Sequence, residues 1–290
     1  MVAEPYGGWR GRAIRAVRMA ERHSSLWNVT DVMLAEPEGA GNGVPMLREP
    51  EQGVGSMAFD GEAFVEEMRQ ELIASGRTLD KAIWVEKVAA GEATPQELVG
   101  WARQHYWGVT YHTRRFLSIW VGRIPYEMTE SVIENIGEEV LGIQSKSGHG
   151  HLHWLFHFTR ALGAPDEVIL NATPNVDAVA SESFLFNLAH QRPWHEFQFG
   201  ASLGIENQIP AAYTKVVQGF KEHYGDLLQP EDYAFHTIHI YADEEHGGGV
   251  GEFAERYLDT EEKRRSARAA YFAGAELTRR CWDAFEGASW

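Results

Sequence analysis

The sequence predicts an all-α protein, and three observations carry that expectation. Apolar residues recur at helical steps, as in Phe64, Met68 and Leu72. Helix-start signals stand before the periodic runs, and no alternating strand-type series and no internal repeat interrupts them. Apolar residues make up 44% of the 290, which is enough for a sizeable core. The expected organisation is one bundle-like domain over 58–290, preceded by an N-terminal extension over 1–57 that holds a helix and a loop.

The elements follow in order. Residues 10–24 (RGRAIRAVRMAERHS) are basic and amphipathic, and such a segment more often packs on its own domain than on a membrane. Residues 35–57 are rich in Gly, Pro and Glu and read as a loop or linker. From Asp60 an acidic start opens a helix. TPQELVGWARQHYWGVTYHTRRFLSIWVG (94–122) begins with a Thr cap, Pro at the first helical position and an early Glu. Its aromatics run throughout, so one long helix buried on more than one side is expected. Further helices are expected over 129–142, 150–163, 176–191, about 194–224 and 230–247. The last, 259–287, is expected to start on an Asp259 cap.

Charge and cysteine usage narrow the function classes. A formal net charge of -16 disfavours nucleic acid and anionic membranes through simple repulsion, leaving a small-molecule substrate as the expected partner. The single cysteine, Cys281, excludes an intramolecular disulfide framework and any Cys-rich zinc site. With no apolar run of membrane-spanning length and no signal-peptide core, a cytoplasmic location is expected.

The chemistry-bearing residues gather in three places. In HIYADEEH (239–246), His239, Asp243 and His246 fall at i, i+4 and i+7, which places them on one helix face. Imidazole and carboxylate are usual ligands of Zn, Mn and Fe, and helical bundles project ligands in this way. In ENIGEEVLGIQSKSGHGHLHWLFHF (134–158), Glu138 and Glu139 precede a Gly/Ser-rich break and then His149, His151, His153 and His157. His151 lies in line with Leu155, Phe158 and Leu162, so it is expected to point into the bundle. In FGASLGIENQIPAAY (199–213), Glu206 stands alone in a small and apolar run, where a carboxylate is costly to bury unless paired or bound to a cation. Any single one of these histidines is more often structural; together they point to a metal site.

These stretches resemble the haem-oxygenase-like di-iron oxidases and oxygenases, over about residues 60–285. "NIGEE…H…W..F.FTRALG" looks like that family's first ligand region, "LGIENQIPAAY" its second and "FHTIHIYADEEHG" its third. The resemblance implies a haem-oxygenase-like helical bundle and a ligand set of Glu139, His151, Glu206, His239, Asp243 and His246, acting as metal ligands and catalytic residues. His149 competes with His151, and Glu138 with Glu139, because GIQSKSGHG lengthens the gap between them. The glycines after His246 are expected to loosen the helix that carries half of the ligands.

The implied activity is O2-dependent oxidation of a small amino-acid-derived or fatty-acid-like molecule in a specialised biosynthetic pathway. The implied cofactor is two Fe(II) ions, with Mn/Fe as the alternative and O2 as co-substrate. A homodimer is the expected assembly. Tyr106, Trp107, Tyr111 and His112 are candidates for lining the substrate site, with core packing the competing reading for each. Other readings on the same fold are a cofactorless oxidase resembling pyrroloquinoline-quinone synthase C and a thiaminase-type hydrolase. The latter needs a nucleophilic cysteine, and Cys281 sits in the final helix.

Overall fold

The computed structural model describes residues 59–246, 249–285 and 287, with the side chains of 241–246 outside that description. The helix expected over 10–24 and the linker over 35–57 therefore lie outside the described residues. Among the described residues every regular element is helical.

Helix α1 (Gly61–Ala74) starts where Asp60 accepts the Ala63 N–H at 2.9 Å, and it buries Val65, Met68 and Leu72. After α2 (Ile83–Ala89), α3 (Pro95–His105) opens on a reciprocal capping box. Thr94 Oγ1 accepts the Glu97 N–H, and the Glu97 carboxylate accepts the Thr94 N–H.

The expected single helix over 94–122 is broken in its middle. Tyr106–Thr110 forms a π turn, in which the Tyr111 N–H bonds five residues back to Tyr106 at 3.0 Å, and the chain resumes as α4 (Thr113–Val121). One inserted residue rotates everything downstream by about a third of a turn, and π bulges of this kind often stand at functional sites.

The chain continues through α5 (Thr129–Leu141), α6 (His151–Ala161), α7 (Asp166–Leu170), α8 (Val176–His190) and α9 (Trp194–Phe197). The helix expected over 194–224 is also interrupted. A second π turn (Gln198–Leu203) and a short 3₁₀ turn (Glu206–Gln208) precede α10 (Ile209–His223). Then come α11 (Ala234–His246), α12 (Val250–Tyr257) and α13 (Glu261–Asp283). The α11 backbone keeps its helix up to the glycines. The cap of α13 is Thr260, which accepts the Lys263 N–H, while Asp259 pairs with the Lys263 ammonium at 2.7 Å.

The core is unusually aromatic. Trp84 and Trp101 stack at 4.3 Å, Trp282 and Tyr213 stack at 5.2 Å, and the two pairs meet edge to face. Phe158, Phe220 and Phe235 close the cluster, all fully buried. Around it α10 packs on α2 and α11, and α6 packs on both α5 and α11. The last two contacts bring the ligand candidates of separate segments together.

Candidate metal centre

The link between α5 and α6 is built by one carboxylate and two glycines. Gly142 ends α5 in the left-handed region at φ 64, a conformation that suits a residue without Cβ. The chain then turns over the Glu138 carboxylate, whose Oε2 accepts the Gln144 N–H at 2.7 Å and the Ser145 N–H at 3.0 Å. Gly150 lies directly against the Glu139 and Val140 carbonyls, where a Cβ has no room. This close approach delivers His151, the first residue of α6, onto the end of α5. Gly150→Ala is expected to push α6 away and lower iron affinity by about 10–100-fold, as for a lost supporting contact, with far-UV dichroism unchanged.

The three residues that meet come from three helices. Glu139 of α5, His151 of α6 and His239 of α11 each offer a donor atom, and these donors all lie within 4.8 Å of one another. His151 Nδ1 is 3.1 Å from Glu139, and its Nε2 is 3.4 Å from Glu138. Neither ring nitrogen of His151 makes an aligned hydrogen bond, and Glu138 Oε1 has none either. Such buried, unaligned donors in contact suit a cation between them. Two ligands about 2.1 Å from one ion, in adjacent positions at right angles, lie about 3.0 Å apart. His239 is oriented for the same purpose. Its Nδ1 donates to the Phe235 carbonyl at 2.7 Å, which leaves Nε2 as the free lone pair. The donor set fits iron.

Glu206 lines the same cavity as Glu138, Glu139, His151 and His239. It stands at the start of the 3₁₀ turn, held there by the break that follows the second π turn. Asp243 and His246 occupy helical positions one and two turns beyond His239 on α11, and their side chains lie outside the described residues. His149 is not part of that donor group and stacks on His153 at 3.8 Å, and His157 pairs with Asp232 at 3.2 Å. Of the competing acids, Glu139 joins the donor group, whereas Glu138 stands behind His151 and holds the loop.

Electrostatics reflect the crowding. Burial alone disfavours the charge on His151, yet the carboxylates of Glu139 and Glu138 raise its pKa to about 10. For Glu138 burial acts upward, but the His151 ring and the Ser145 N–H bring it down to about 2. Glu139 stays below its usual value for the same reason, with His151 outweighing burial. Glu206 moves the other way, to about 7, through burial and the nearby Glu139 charge. His239 falls to about 3, chiefly through burial and then through the charge of His151.

Iron binding is therefore expected to release protons from His151 and Glu206. At about pH 6 both are protonated without metal and both protons must leave; at about pH 8 Glu206 is already ionised and the release falls. In an anaerobic titration with an indicator dye, Glu206→Gln is expected to reduce that difference between the two pH values.

The sequence pattern did not single out His105. It lies on the cavity wall at the end of α3, stacked on Trp101 at 4.8 Å, and burial, then His239 and His151, lower its pKa to about 3. Its signal was its place at the mouth of the π turn, which no local pattern announces. The same turn redirects the aromatic helix. Val109, Thr110, Thr113 and Phe116 line the cavity, and Tyr106, Trp107, Tyr111 and His112 do not. Tyr106 is buried against Phe156, Trp107 Nε1 donates to the Ile169 carbonyl at 3.1 Å, and His112 pairs with Glu182 at 3.0 Å.

Residues 99–279 match a haem-oxygenase-type family described as iron-containing redox enzymes. A 4-aminobenzoate synthase from Nitrosomonas europaea is 24% identical over 198 residues, covering 67% of this chain and 77% of that protein. A domain of unknown function with a haem-oxygenase-like fold from Shewanella denitrificans aligns with TM-score 0.60 at 17% identity, over 79% of this chain and 92% of that one. A TenA homologue from Pyrococcus furiosus aligns with TM-score 0.58 at 17% identity, over 76% and 98%. The two structures show the fold alone. With three donor-bearing helices converging on that fold, this chain belongs to the iron-containing redox enzyme family with the haem-oxygenase-like architecture.

Proposed function

We propose that the protein is a non-haem di-iron oxidase or oxygenase that uses O2 to oxidise a small organic molecule in a biosynthetic pathway. The observation that carries this reading is the meeting of Glu139, His151 and His239 donors within 4.8 Å, from three helices. Glu206, Asp243 and His246 complete a set of carboxylates and imidazoles of the kind that suits iron. A biosynthetic role is supported by the relative named 4-aminobenzoate synthase.

Iron held by these residues would supply the electrons for O2 chemistry. The protein's own groups do the rest. His239 presents Nε2 because its other nitrogen is engaged at Phe235. Glu138 holds the His151 ring and the loop that carries it. Glu206, with a pKa of about 7 in the metal-free site, gives up its proton near neutrality as a cation enters. Neutral His105, Phe116 and Ile209 form part of the cavity wall.

The test is anaerobic Fe(II) titration followed by O2 uptake. Two equivalents per chain and O2 consumption are expected, with one equivalent lost in Asp243→Ala. Failure to bind iron, or a stoichiometry that stays at two in that variant, overturns the reading.

A thiaminase-type hydrolysis that relies on a cysteine nucleophile would have to use Cys281. Cys281 is 2% exposed and burial, with Asp177 nearby, raises its thiol pKa to about 12. Cys281 is expected to resist iodoacetamide in the folded protein, and Cys281→Ala to keep full iron binding and O2 uptake.

A further inference from the structure

A second, larger cavity of about 390 Å³ adjoins the metal centre, and the two share Thr110 and Glu139 on their common wall. The inner cavity is only about 60 Å³, room for a few water-sized groups. The outer one falls within the range of about 300–1,000 Å³ typical of small-molecule sites. Its walls come from the end of α5, the start of α6 and the first turn of α4.

Arg114 is the cation in this cavity. Many arginines elsewhere are paired, as in Arg77–Glu276, Arg160–Asp166, Arg192–Glu196 and Arg280–Asp177. Among the described residues Arg69, Arg103, Arg115, Arg123 and Arg265 also have no carboxylate partner, but of these arginines Arg114 alone lines this cavity. No carboxylate of the described residues pairs with Arg114. Its Nη1 donates to the Tyr111 carbonyl at 3.0 Å, and its guanidinium lies 5.1 Å from the Tyr111 ring centre. Most of its five donors are left over for a ligand. The opposite character is nearby, where Val140 (46% exposed) and Leu141 (58% exposed) contribute large apolar side chains to the same cavity. In a chain of net charge -16, an anion gains nothing from the long-range field and needs a local cation.

We infer that the outer cavity is the substrate site and that Arg114 anchors a carboxylate on a small substrate with an apolar body. This rests on the proposed function, because the anchor orients the substrate's other end toward Thr110, Glu139 and the iron centre. A guanidinium grips a carboxylate through two parallel hydrogen bonds, which a neutral amide cannot reproduce.

The experiment uses benzoate and its neutral analogue benzamide as probes, titrated calorimetrically into the full chain with Fe(II) under argon and without added iron. Benzoate is expected to bind at least about tenfold more tightly than benzamide in both states, since the site for the anion is Arg114 and not the metal. Arg114→Gln is expected to erase the preference while benzamide affinity and iron stoichiometry stay constant, and Arg114→Lys to restore part of it. Equal affinities in the native chain, no benzoate binding at millimolar concentration, a preference seen only with iron, or a preference kept in Arg114→Gln each overturn the inference. A native chain that prefers benzoate through Arg114 yet binds no iron keeps the anion site and sinks the di-iron reading alone.

Discussion

His151→Ala is expected to lower Fe(II) affinity by at least about 100-fold, beyond the 10–100-fold typical of losing a supporting residue. His151 is the residue through which the three segments meet, with Glu139 on one nitrogen at 3.1 Å and Glu138 on the other at 3.4 Å. Its removal takes a donor from the centre and also leaves two carboxylates without their cationic neighbour. Glu138 is 1% exposed, and breaking a buried charge pair by deleting one partner costs about 3–5 kcal/mol. Anaerobic competition with a ferrous chelator reads the first effect, and urea unfolding of the metal-free protein reads the second. Native affinity in His151→Ala would remove His151 from the centre. Glu138→Gln makes a useful contrast, since it keeps the donor group but weakens its support, with a loss of about 10–100-fold.

Trp101→Ala is expected to give the largest loss of stability, about 3–5 kcal/mol, the range for emptying a buried tryptophan site. Trp101 is 1% exposed and stacks on Trp84 at 4.3 Å and on His105 at 4.8 Å. It also meets Phe158, Tyr213, Phe235 and Trp282 edge to face. These neighbours belong to six elements, so collapse around the cavity would need several helices to move together. Urea unfolding of metal-free protein measures the loss, and Trp101→Phe is expected to recover part of it. A change below about 0.5 kcal/mol in Trp101→Ala, the size of an ordinary surface substitution, would show that this stack does not hold the bundle. Iron affinity is expected to fall as well, because His105 loses the ring that fixes it on the cavity wall.

The particular residues explain what was readable in advance. Asp60, Thr94 with Pro95 and Glu97, and the step from Phe64 to Met68 and Leu72 act within a turn or two of themselves, so their helices are visible in the chain. The inward stripe of His151, Leu155 and Phe158 is of this kind, and all three are buried. Glu138 and Glu139 were indistinguishable by pattern, because adjacent residues diverge by about 100° on a helix and only the position of α6 tells which faces the centre. The aromatic helix misled for a related reason. Periodicity assumes an uninterrupted register, and the π turn at Tyr106–Thr110 replaces Tyr106, Trp107, Tyr111 and His112 with Val109, Thr110, Thr113 and Phe116 on the cavity wall.

By itself, then, the amino-acid order determined an all-α chain, the boundaries of most helices and the residue types able to hold iron. Those properties rest on short-range sterics, capping and periodic burial. Which acid joins the donor group of His151 and His239, how His239 is oriented, and where Arg114 is left without a carboxylate were decided only when α4, α5, α6 and α11 packed together. Distances between residues a hundred positions apart depend on the balance of packing over the whole bundle, and no local stretch carries that balance.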